Sequence, residues 1–173
     1  IMQGRLSSKN NQPLQSFPKY NWQEEFSHAS QLKIDQIEWL VDDINKTSDN
    51  PILTNSGRSQ ILEIVSSTNV AVKTLCAHYF INYDLNYIQT KKKQIEYNFL
   101  YLLEFSDLVG IEMISIPFMD QISLKNNELK KEMSDFFNKI LVGNGPKVLI
   151  ECDITYFNFC KIFLQKNFQQ RII

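Results

Sequence analysis

The sequence predicts an α/β fold, a (β/α)₈ barrel that is incomplete, with its first five strand–helix units present in one domain spanning residues 1–173. Three observations lead there. Short apolar runs alternate with longer amphipathic segments, which argues a parallel sheet with helices outside it. The short runs are nearly continuous in apolar residues, as strands buried on both faces are. Polar residues recur at the C-terminal end of almost every run: Gln3 and Arg5, Glu38 and Asp42, His78, Asp120, Glu151 and Asp153. A barrel gathers its strand ends at one mouth, whereas an open doubly wound sheet concentrates such groups at one crevice. The Gly-rich turn that such an open sheet carries after its first strand is not in the sequence either.

The elements follow in order. Ile1-Met2-Gln3 opens the chain with the weakest strand pattern. Asn21 predicts the N-cap of a helix through Trp22, Phe26 and Ala29, with Glu24 and Glu25 in its first turn, where the helix dipole favours acids. Ile34 to Val41 is the second strand, and Ser59 to Ser66 a short second helix. Val70 to Ala77 is the third strand. Thr90 to Leu108 is the longest helix, with Ile95, Phe99, Leu102, Leu103 and Phe105 on its apolar side and Gly110 as its stop. Met113 to Ile116 is the fourth strand, ended by Pro117, which cannot donate to a central ladder. Lys125 to Leu141 is the fourth helix, and Val148 to Ile150 the fifth strand. Ile154 to Lys166 is the fifth helix, and Arg171-Ile172-Ile173 reads as the opening of a sixth strand. The strands are expected to run parallel and in sequential order over residues 1–5, 34–41, 70–77, 112–117 and 147–152.

Composition narrows the partners. The net charge of −1 offers no electrostatic footprint for nucleic acid. The one basic run, Lys91-Lys92-Lys93, reads as a solvated helix face. The three cysteines, Cys76, Cys152 and Cys160, are odd in number and lack C-x-x-C spacing. That points to a reducing compartment, so the expected location is cytoplasmic. No apolar stretch approaches the roughly 18 residues of a membrane span, and no leader pattern opens the chain. The ends look cut, so the sequence reads as a fragment of a longer barrel.

The strand ends carry a resemblance. Met2-Gln3-Gly4-Arg5-Leu6-Ser7, Phe17-Pro18, Trp22 and Phe26 resemble the opening of bacterial sugar phosphate isomerase/epimerase proteins. Ile37-Glu38-Trp39, Asn50-Pro51 and Gly57 continue it, as do Cys76-Ala77-His78-Tyr79-Phe80, Ile116-Pro117-Phe118-Met119-Asp120 and Leu149-Ile150-Glu151. This family sits with xylose isomerase, ketose 3-epimerases and endonuclease IV in the xylose-isomerase-like TIM barrel superfamily. The resemblance implies a metal site with one ligand from each of the last four strands, in the order Glu, Asp, His, Glu. Glu151 matches the first, and the other three would lie beyond Ile173.

Several residues then stand as candidates. Glu151 ends an apolar strand, where a carboxylate is costly unless paired or bound to a cation. It is the expected catalytic residue and metal ligand, the metal being a divalent ion such as Mn, Mg, Co or Zn. His78, Glu38, Trp39 and Asp120 are the expected substrate-binding residues. A Trp at a barrel mouth can stack on a sugar face while a carboxylate bonds the hydroxyls. Competing structural readings are core packing for Trp39, an ion pair with Arg5 for Glu38, a helix cap for Asp153 and a surface position for His28.

The resemblance implies an isomerase or epimerase of carbohydrate metabolism, moving a proton next to the carbonyl of a sugar or sugar phosphate. Two other readings compete. An endonuclease-like phosphodiesterase with a zinc cluster needs many His ligands, and the chain has two His. A truncated barrel acting as a non-catalytic binding module is the other. An unclosed sheet also predicts unpaired edges, core residues such as Ile150 and Phe159 partly uncovered, and self-association into a homo-oligomer.

Overall fold

Four parallel strands form one sheet in the order β1-β2-β3-β4: β1 (Gln36–Leu40), β2 (Ala71–Cys76), β3 (Met113–Phe118) and β4 (Lys147–Cys152). The structure is a computed structural model and describes residues 1–8, 13, 15–159, 171 and 172. On the outer side of β1, Met2 makes a parallel bridge to Glu38, and on the outer side of β4, Ile172 makes one to Val148. The sequential, parallel order expected from the sequence therefore holds. The first and sixth expected strands are represented by these single bridges, so the outer sides of β1 and β4 are partly paired.

Helices join neighbouring strands. Helix α1 (Trp22–Gln31) precedes β1, and α2 (Asn55–Thr68) links β1 to β2. Helices α3 (Leu85–Thr90) and α4 (Lys92–Leu108) link β2 to β3, α5 (Asn127–Ile140) links β3 to β4, and α6 (Tyr156–Phe159) follows β4. Right-handed crossovers that always step to the next strand in one direction keep their helices on one face of the sheet. The burial pattern agrees. Ile37, Trp39, Val41, Leu75, Ala77, Ile114, Ile116, Phe118, Val148 and Ile150 share one hydrophobic core with the helices. Leu40 and Cys76 are buried but lie outside that core, on the opposite face.

Local signals set the helix ends. Thr54 caps α2 by accepting from the Gly57 N–H at 3.1 Å. Asn126 caps α5 by accepting from the N–H groups of Glu128 and Leu129 at 2.9 and 3.2 Å. Gly110 ends the turn after α4 at φ +78°, a conformation that favours glycine. In β2, Ala71 and Thr74 pair with Gln36 and Glu38, so three residues span what two span on β1. This extra residue is a bulge, and it lets Val72 and Leu75 both reach the core.

Several local expectations give way to tertiary context. Strand β3 runs through Pro117 to Phe118. Its strand pairing with β2 ends at Ser115, so the missing Pro117 N–H faces no ladder on that side. The helix expected from Thr90 to Leu108 is present from Lys92, and a separate helix that was not expected, Leu85–Thr90, precedes it, with the break at Lys91 (φ −113°, ψ 22°). Asn21 sits at the N-cap of α1 without a side-chain cap bond. Thr155, not Asp153, sits at the cap of α6, accepting from the Asn158 N–H at 3.4 Å. Asp153 instead accepts from Ser123 Oγ at 2.9 Å and pairs with Lys125 at 3.1 Å. Ile150 and Phe159 are 6 % and 8 % exposed, so the helix layer covers them. Cys160 and the expected helix beyond Phe159 lie outside the described residues.

Candidate functional site

Glu38 and Ser115 define the helix-free face. Ser115 Oγ donates to Glu38 Oε1 at 3.3 Å, and β2 lies between their strands. In a flat sheet, strands two apart are separated by about 9.6 Å. Glu38 pairs with Thr74, Thr74 with Met113, and Ser115 stands two residues further along β3. That adds about 6.6 Å along the strand. A Glu and a Ser side chain cannot bridge both offsets on a flat surface. The sheet therefore curls toward this face, away from the helices.

Glu151 lies on β4, opposite Pro117 of β3, and is exposed. Glu38 is half-buried. Burial, and then the charge of Glu151, hold its carboxyl above the usual 4.5, while the Ser115 bond pulls the other way. His78 opens the 3-10 turn of residues 78–82 directly after β2 and is half-buried. Burial holds its imidazole below the usual 6.5, and the carboxylates of Asp42 and Glu151 oppose that shift. It is therefore neutral near pH 7 and can accept or donate through one nitrogen each. Cys76 sits between the two carboxylates, and burial pushes its thiol up to about 12, so it is an inert neighbour. Asp42 follows β1, and its Oδ2 accepts from the Phe17 N–H at 2.9 Å.

Glu38 and His78, two of the residues expected at the mouth, thus both feel the charge of a third, Glu151. Asp120 stands after the next strand, in a turn that packs against the turn opened by His78. It begins the 3-10 turn of residues 120–122 after β3, at φ +54°, and is exposed. Trp39 faces away. It is 0 % exposed, its Nε1 donates to Asn50 Oδ1 at 2.9 Å, and its ring packs on Phe17 and Trp22 at 5.4 and 5.5 Å. Successive strand residues alternate faces, so once Glu38 points to the concave side its neighbour cannot. The core-packing reading of Trp39 is the correct one. Arg5 is exposed, and among the described residues it forms no ion pair with Glu38. His28 is exposed, with Nδ1 2.8 Å from the Leu6 carbonyl.

Two residues escaped sequence reasoning. Ser115 is a small polar residue between Ile114 and Ile116, and its period-two position was the available signal. Glu25 reads from the sequence as a first-turn acid. It is instead a 1 % exposed carboxylate accepting from the N–H groups of Gly4 and Leu6 and from Ser7 Oγ, at 2.9, 3.0 and 3.1 Å. It fixes the loop that follows Met2.

Beside Asp42, a cavity of 280 Å³ is lined by Phe17, Asp43, Asn50, Lys19 and Lys46 among others. Its two lysines are already paired, Lys19 with Asp49 at 2.6 Å and Lys46 with Asp43 at 3.3 Å. Among the described residues, no three His, Cys, Asp or Glu side chains stand close enough together to hold a metal ion. Glu151 suits a hard cation by its chemistry, but it is a single ligand, and the described residues do not by themselves fit a tightly held ion. No helix among the described residues is long and apolar enough to cross a membrane. Neither a protein-family model nor a curated protein matches the chain.

Proposed function

We propose that this chain is the N-terminal part of a (β/α)₈ barrel whose mouth isomerises or epimerises a sugar or sugar phosphate by proton transfer next to a carbonyl. What supports the reading is the group formed by Glu38, His78 and Glu151 at one end of a curled parallel sheet. A proton-transfer site needs one carboxyl that holds a proton and one that takes it. Glu38, held above the usual range, is the group more able to carry a proton, and exposed Glu151 is the one placed to accept it. Neutral His78 suits a hydrogen bond to a substrate hydroxyl or carbonyl oxygen. A divalent ion belongs to the proposal as a group to which Glu151 would give one ligand.

The test is solvent exchange. The full protein is incubated in D₂O with a panel of ketoses, aldoses and their phosphates, with manganese, magnesium, cobalt or zinc added. Deuterium entering the carbon next to the carbonyl is then measured by proton NMR. The reading expects exchange with at least one sugar and a loss of about 100-fold or more in Glu151→Gln. No exchange with any member of the panel overturns it in favour of a non-catalytic barrel. Cleavage of a phosphodiester by the same preparation would favour the endonuclease-like reading instead.

A further inference from the structure

Ser115 is 2 % exposed, and its hydroxyl stands on the concave face of the sheet. A serine hydroxyl has one proton to give. Two acceptors lie beside it, the Cys76 sulfur and the Glu38 carboxyl. Cys76 is its register partner on β2 and stays a thiol, a weak acceptor. Glu38 is the stronger acceptor and takes the bond at 3.3 Å. Glu151 from β4 repels the Glu38 anion. A long carboxylate facing a second carboxylate gains by swinging toward water, and its several rotamers favour that motion. Something has to hold it across β2.

We infer that Ser115 is a positioning residue: its hydroxyl fixes Oε1 of Glu38 on the concave face and leaves Oε2 for a substrate hydroxyl or the proton being moved. The inference rests on the proposed function for what Glu38 does, but the tether itself can be read without turnover. In the full, metal-free protein carrying ¹³C-labelled glutamate, the Glu38 carboxyl resonance is assigned by its loss in Glu38→Gln. Removing a donor to the charged form raises the titration midpoint. Ser115→Ala is therefore expected to move the Glu38 midpoint upward by about one pH unit, and Ser115→Thr to return it. Ser115→Cys, with a weak thiol donor, moves it part of the way and serves if the alanine variant does not fold. A Glu38 midpoint that is the same in all these variants overturns the inference.

The second arm uses the exchange assay. Ser115→Ala lowers kcat about tenfold with KM little changed. The same substitution costs nothing further in a Glu38→Gln background, because the group it positions is gone. An equal loss in both backgrounds means that Ser115 acts only on the fold. If the wild-type protein exchanges no sugar proton, the proposed function falls, while the NMR titration still decides the role of Ser115.

Discussion

Glu38 and Glu151 repel each other across the two strands that separate them. Burial and that repulsion both keep the Glu38 proton on in the folded protein above its ordinary 4.5. Between the ordinary value and the raised one, the folded state binds more protons than the unfolded state. Stability is then fully present below 4.5 and falls as pH rises through the folded value of Glu38. Glu38→Gln should flatten this decline and lie above wild type on its alkaline side. Glu151→Gln should narrow the window. Urea midpoints measured from about pH 4 to pH 8 check both. A wild-type slope that persists unchanged in Glu38→Gln would refute the assignment.

Trp39 is a structural residue, so its substitution should separate stability from binding. Trp39→Phe keeps a ring against Phe17 and Trp22 but loses the bond to Asn50. Asn50 keeps its own bond to the Leu40 carbonyl at 2.8 Å. The expected cost is about 1–2 kcal/mol in urea unfolding, with the KM for any exchanged sugar unchanged. A large rise in KM at full stability would return Trp39 to the mouth.

Glu25 is the single acceptor for two backbone amides and one hydroxyl of the loop after Met2. Glu25→Ala orphans all three and should cost about 3 kcal/mol. Hydrogen exchange at the Gly4 and Leu6 amides should quicken in the same variant. If protection at these amides is unaltered, the loop is held by something else.

Two glycines should respond differently to the same change. A Cβ at Gly57 would meet the Pro51 carbonyl oxygen at 2.1 Å, between backbone segments that cannot yield. Gly57→Ala should cost about 3 kcal/mol. Gly110 has nothing within 4 Å of a Cβ, so Gly110→Ala carries only the left-handed backbone term, about 1 kcal/mol. Thermal melts that rank the two the other way would show that the helix α2 entry is softer than its contacts indicate.

The strands were readable because parallel strands covered by helices must be apolar along their length, as Val148 to Ile150 and Ile114 to Ile116 are. Glu38, His78 and Glu151 were readable for the converse reason: polar groups at the ends of such runs need a purpose. Trp39 was misplaced because an apolar run does not announce which face each residue takes. Parity with Glu38 settles it only once the face of Glu38 is fixed. Asp120 falls after β3 has ended, where alternation no longer governs direction. The break at Lys91 has no local breaker residue. Ile88 before it and Ile95 after it are both seated in the one core.

The chain has two tryptophans, Trp22 and Trp39, and their rings meet edge to face at 5.5 Å and 65°. Both are buried, at 6 % and 0 % exposed, and both belong to the layer between α1 and β1. Indole emission is therefore a spectroscopic reporter of that one corner. A fluorescence melt follows the docking of α1 on β1 and is blind to β3 and β4, neither of which carries a tryptophan. Comparing it with far-ultraviolet circular dichroism, which sees every helix, tells whether the two ends of the sheet melt together or in turn.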